Sequence, residues 1–80
     1  MNTKPISNKP DNEDYLLLLG QNIASLRKKK KISQITLSLD SGIARSFLAD
    51  LERGKANPSV STLIRIAKAL GVEVRTLFPR

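Results

Sequence analysis

The stretch Gly42–Gly54, GIARSFLADLERG, carries two stripes at helical spacing. Ile43, Phe47, Leu48 and Leu51 are apolar and share one side of a helix, the mark of a face turned toward a core. Arg45, Ser46, Ala49, Asp50 and Arg53 are small or polar and fall on the opposite side. A core needs the first stripe. The second needs another explanation.

Just upstream, residues 34–41 form a second short helical pattern. Ser33 is placed to cap it, because its hydroxyl can accept a hydrogen bond from a free amide of the first turn. Gly42 follows and can adopt the positive φ of a tight turn. Two short helices joined by a glycine-containing turn make a helix-turn-helix arrangement. Such a pair cannot bury both apolar stripes alone, so other helices must cover one side.

Three more patterns supply the cover. A helix is expected over about residues 14–30, where Leu16, Leu19, Ile23 and Leu26 form one stripe. Lys28–Lys31 cluster at its end, where cations suit the helix dipole. Another is expected over residues 60–70, capped by Ser59, stopped by Gly71 and buried through Leu63, Ile66, Ala67 and Leu70. A last turn or two is expected over residues 74–78, closed by Pro79. Residues 1–13 are polar, contain Pro5 and Pro10, and read as a flexible tail ahead of a domain over residues 14–80. The fold class is therefore all-α, with five compact helices.

Composition narrows the function. With 80 residues the chain is one domain at most. It has no cysteine and no histidine, which removes disulfides, thiolate sites and the commonest metal ligand and general base. These absences weigh against an enzyme, leave only carboxylate chemistry open, and imply no cofactor and no metal. The formal charge is +7, and the acidic balance is confined to the first 14 residues. A basic body suits an anionic partner, or serves solubility alone. The apolar run Leu16–Leu19 is far shorter than the about 20 residues of a membrane span, so a cytoplasmic setting is the expectation. The lysines cluster at one end of the first helix and do not line a face, which argues against a membrane surface.

In a basic domain, an outward helix of small and hydrogen-bonding side chains fits the major groove of double-stranded DNA. Ser46 and Ala49 would let it approach the base edges. Arg45 can offer two donors to guanine O6 and N7. Asp50 is not attracted to phosphate; it would either accept from a cytosine amino group or hold Arg53, three residues on.

The region Leu19–Phe78 resembles the Cro/cI-type, or XRE-type, helix-turn-helix family of prokaryotic and phage regulators. The matching residues include Leu19-Gly20, Ile23, Leu26-Arg27, Ser33-Gln34, Leu37, Gly42-Ile43, Arg45-Ser46-Phe47-Leu48, Leu51-Glu52-Arg53-Gly54, Asn57-Pro58-Ser59, Thr62-Leu63, Ile66-Ala67-Lys68-Ala69-Leu70-Gly71-Val72 and Leu77-Phe78. The resemblance implies a compact lambda-repressor-like domain and a sequence-specific transcriptional regulator, a homodimer on a palindromic operator. It implies that Gln34 contacts a phosphate and braces the recognition helix. Ala44, Arg45, Ser46, Ala49 and Asp50 would face bases, and Arg53, Lys55 and Asn57 would touch backbone. Arg27 and Glu52 would form a structural ion pair. The dimer surface would involve Val74, Leu77 and Phe78, although core packing is the simpler reading of Leu77.

The sequence also departs from the family pattern. Lys31 stands where glycine is usual and must adopt a left-handed conformation or a different turn. Ser38 and Ser41 replace alanine and a larger apolar residue, and Ala44 replaces the usual capping serine or threonine. Ile35 and Leu39, four apart on the second helix, are apolar where relatives are polar. Either the stretch Tyr15–Leu18 folds over them, the favoured expectation, or they grip a protein partner, as in an antitoxin or adaptor module with secondary DNA binding.

Overall fold

The computed structural model describes residues 12–79. Its elements are α1 (Asn12–Lys29), α2 (Gln34–Ser41), α3 (Arg45–Glu52), α4 (Val60–Leu70) and a 3₁₀ turn at Val74–Leu77. No strand occurs among the described residues, so the class is all-α as expected. The fifth pattern is a 3₁₀ turn and not a further α-helix. Its bonds run three residues back, from Thr76 N–H to the Glu73 carbonyl (2.9 Å) and from Phe78 N–H to the Arg75 carbonyl (3.2 Å). Pro79 has no N–H to extend it.

α1 starts at Asn12, two residues before the expected start, and carries Glu13 and Asp14 in its first turn, where acids suit the dipole. The remainder of the expected tail, residues 1–11, lies outside the described residues. At the other end, Lys31 takes the left-handed conformation, with φ 59°. Its N–H bonds the Lys28 carbonyl (2.9 Å) while Ile32 N–H reaches back to the Arg27 carbonyl (3.1 Å). The same pair of bonds closes α3 at Gly54 and α4 at Gly71. A side chain in this conformation costs about 1–2 kcal/mol, so lysine performs a glycine's task at some expense.

Every element contributes to one core. Leu19 and Ile23 enter from α1, Leu37 from α2, Ile43 from the turn, Leu48 and Leu51 from α3, Leu63, Ile66, Ala67 and Leu70 from α4, and Leu77 from the 3₁₀ turn. Burying each large aliphatic side chain contributes about 1.5–3 kcal/mol before chain entropy is counted. α2 packs against α4, and α1 crosses the end of α3. Gly20 permits that crossing: a Cβ there would stand 2.1 Å from the Leu51 carbonyl oxygen. The Asn22 amide donates to the carbonyls of Thr76 (3.0 Å) and Leu77 (2.7 Å), fixing the 3₁₀ turn on α1.

Candidate nucleic-acid interface

α3 is held from behind by a polar cluster. Arg27 of α1 makes a bidentate pair with Glu52, with Nε to Oε2 at 2.7 Å and Nη2 to Oε1 at 2.9 Å. Its Nη1 donates to the Ile32 carbonyl at 2.8 Å. Gln34, the first residue of α2, donates its amide N–H to Glu52 Oε1 at 2.9 Å. Glu52 therefore joins three helices. The two charged side chains are 10% and 6% exposed, so solvent screens the pair little. Burial pushes the Glu52 carboxyl up. Hydrogen bonds from Arg27 and Gln34, with the charge of Arg27, outweigh burial and hold it below the usual glutamate value. The hydrogen bond to Glu52 raises the Arg27 guanidinium against the opposing effect of burial.

With Leu48 and Leu51 buried and Phe47 packed beside them, the other side of α3 faces out. Ala44, Arg45, Ser46 and Arg53 are exposed, and Ala49 and Asp50 are half-buried. Asp50 forms an ion pair with Arg53, the second of its two expected roles. Arg45 makes no hydrogen bond or ion pair among the described residues, so its fork of donors is available. Lys55 and Asn57 follow in the loop to α4, both exposed. Ser33 and Ser59 cap their helices, accepting from the Thr36 and Thr62 amides at 3.0 Å each. Ala44 gives α3 no such bond. An absent cap is worth about 0.5–2 kcal/mol.

The Helix-turn-helix family model matches residues 23–77. The chain belongs to this helix-turn-helix family. It is a DNA-binding transcription regulator. The regulator is 43% identical over 61 residues to the immunity repressor protein of Bacillus phage phi105, matching 76% of this chain and 42% of that one. The chain thus spans less than half of the phage repressor. It is 44% identical over 59 residues to the uncharacterized HTH-type transcriptional regulator y4dJ of Sinorhizobium fredii, covering 74% of this chain and 77% of that one. Among solved structures it is similar to the restriction-modification controller protein C.AhdI of Aeromonas hydrophila. The TM-score is 0.78 and the identity 41%, over 79% of this chain and 96% of that one.

Of two open expectations about the regulator, one takes its simpler form and the other is corrected. Leu77 has 0% exposure. It belongs to the core, the simpler of its two expected readings. Val74 is half-buried against that core, and Phe78 keeps 38% exposure. Second, the stretch Tyr15–Leu18 does not cover Ile35 and Leu39, which remain 53% and 77% exposed. That stretch lies elsewhere: the Leu17 backbone abuts Gly54, and the Tyr15 hydroxyl donates to the Pro79 carbonyl at 3.5 Å.

Two contributors went unread in the sequence. Gly20 carries the α1–α3 crossing, a role that neither its place inside a helical pattern nor its match to the family reveals. Arg65 of α4 donates from Nε to the Ser41 carbonyl (3.1 Å) and from Nη2 to the Gly42 carbonyl (2.9 Å). Nothing local marks it, because its partners lie 24 and 23 residues away. Among the described residues no helix is long and apolar enough to cross a membrane.

Proposed function

We propose that this regulator recognises a palindromic duplex as a homodimer, with α3 lodged in the major groove and reading base edges. The observation that carries the reading is the outward face of α3, where exposed Ser46 and half-buried Ala49 leave room for close approach beside the unpaired fork of Arg45. Arg45 reads a guanine. Arg53, Lys55 and Asn57 meet phosphates. Gln34 serves two purposes: one amide N–H braces Glu52, and the other is left for a phosphate oxygen. Asp50 orients Arg53. Pairing two domains through Phe78 and the exposed part of Val74 would set two copies of α3 about 34 Å apart, in successive grooves. Regulation then follows from occupancy, as the bound dimer blocks or recruits polymerase. The setting is the cytoplasm of a bacterium, with the gene bacterial or phage-borne. Binding is the whole activity, with no catalysis and no cofactor.

Selection of bound sites from random duplexes tests this reading. Arg45→Ala should relax the consensus at one position per half-site and cost about 1–3 kcal/mol there. An unaltered consensus removes Arg45 from the readout.

The exposure of Ile35 and Leu39 favours a second reading, in which α2 grips a protein partner, as in an antitoxin or adaptor, and DNA binding is secondary. Salt separates the two. A duplex-binding function requires log affinity to fall with log salt at a slope of about −0.9 per phosphate contact. A shallow slope favours the protein partner.

A further inference from the structure

We propose that Ser38, Ser41 and Arg65 form a polar clamp on the turn between α2 and α3. The clamp sets the direction of α3 and, through it, the discrimination between duplex sequences. The inference deepens the proposed role of α3 and rests on it.

The turn Ser41–Ile43 is bonded from three sides. The Ser41 hydroxyl donates to the Leu37 carbonyl at 2.7 Å and accepts from Ile43 N–H at 3.3 Å. The Ser38 hydroxyl donates to the Ile43 carbonyl at 2.6 Å. From α4, Arg65 takes the carbonyls of Ser41 and Gly42. These carbonyls end α2, where the helix dipole leaves partial negative charge, so a guanidinium is the fitting cap. Gly42 is part of the device. Its φ is 73°, and a Cβ there would stand 2.6 Å from Arg65 Nη2. Any side chain would both strain the backbone and displace the guanidinium.

Three small side chains meet at this turn. Alanine at 44 leaves the start of α3 without a side-chain cap. The hydroxyls of Ser38 and Ser41 both engage Ile43, the residue before Ala44, one at its carbonyl and the other at its N–H. Side-chain bonds to the backbone of the turn therefore hold the approach to α3, which no capping side chain holds. An error in this hinge is passed to Arg45 and Ser46, which lie in the first turn of α3. Lysine in place of Arg65 would supply one point donor and could not span two carbonyls.

The test compares Arg65→Lys, Arg65→Ala and Ser38→Ala with the parent chain. Affinity is measured for the duplex recovered by selection and for a random duplex of equal length, across a salt series. Amide exchange at Ile43 and Leu48 is followed in the free protein. The clamp requires each variant to lose about tenfold in affinity for the selected duplex, within the range of one base contact. Random-duplex affinity and salt slope must stay unchanged, with faster exchange at Ile43 and Leu48 and little change at Ile66. Parallel loss on both duplexes with a shallower slope would make Arg65 a phosphate contact and overturn the proposal. Unchanged discrimination in Ser38→Ala and Arg65→Lys would overturn it too. If the parent chain prefers no duplex, the reading of α3 fails, whereas unchanged exchange at Ile43 and Leu48 refutes the clamp itself.

Discussion

The two ends of α3 are held in different ways. At the C-terminal end, α1 presses backbone against backbone at Gly20, and Glu52 is tied to Arg27 and Gln34. At the N-terminal end there is no side-chain cap, and the chain is steered through the turn that precedes it. Contact between main chains has no soft coordinate, so the C-terminal end fixes where α3 sits. Hydrogen bonds to hydroxyls and a guanidinium can lengthen or tilt, so the N-terminal end fixes the angle less firmly. Position is set by the rigid end, and aim by the adjustable one.

The firmest way to break this contrast is Gly20→Ala. A single methyl would meet the Leu51 carbonyl oxygen at 2.1 Å, with Glu52 backbone atoms at 3.0 Å. α1 and α3 must separate by more than an ångström or the local helix must distort. Overpacking of this kind costs about 3 kcal/mol or more, a large part of the stability of so small a domain. The melting midpoint should fall by well over 10 °C, at about 4–8 °C per kcal/mol for a domain of this size. Thermal melts by circular dichroism check it. A midpoint within a few degrees of the parent's would show that the crossing is soft.

Glu52→Ala attacks the same end through its charges. Arg27 would keep only the Ile32 carbonyl, and Gln34 would lose its acceptor. Stranding one partner of a well-buried pair costs about 3–5 kcal/mol. Arg27 keeps its bond to the Ile32 carbonyl, so the expected loss is about 3 kcal/mol, the lower end of this range. The pair also sets an acid dependence. The folded carboxyl titrates below its usual value of 4.5, so its stabilisation is complete above that pH and is lost as pH falls through the lower, folded value. Chemical denaturation between pH 7 and pH 3 should show this decline in the parent chain and a smaller one in Glu52→Gln. Equal declines would mean that other carboxylates control acid unfolding.

The contrast also explains what was legible in the sequence. Helix spans, the Ser33 and Ser59 caps and the outward stripe of α3 follow from local periodicity and capping chemistry, and local chemistry is what a sequence displays. The Arg27–Glu52 pair was reached through family resemblance, because no local rule joins residues 25 apart. Leu77 shows the limit of periodicity: an apolar position announces burial without saying against what. Sequence alone misplaces the neighbour of Ile35 and Leu39 for a related reason. The direction of α1 across the body depends on the Gly20 crossing, which carries Tyr15 and Leu17 toward Pro79 and Gly54 and away from α2. Arg65 was silent because its role exists only once α4 has packed on α2.

The smallest effect, and the one that sharpens the contrast most, is expected from Ala44→Ser. Ala44 has φ −56° and ψ 138°, a modest rotation from the −77° and 165° of the Ser33 cap. A serine hydroxyl there could reach the Phe47 amide as Ser33 and Ser59 reach the amides three residues beyond them. Little backbone movement is needed, so a gain of about 1 kcal/mol is expected, read from the urea midpoint at constant slope. The gain should depend on the turn. A cap adds less to a helix start already restrained by hydroxyl and guanidinium bonds than to one that Ser38→Ala has loosened. A double-mutant cycle measures the difference, and coupling above about 0.5 kcal/mol is the expected outcome for neighbouring groups. Strict additivity would mean that the start of α3 gains nothing from the turn, and that its aim comes wholly from the Gly20 and Glu52 contacts at the far end.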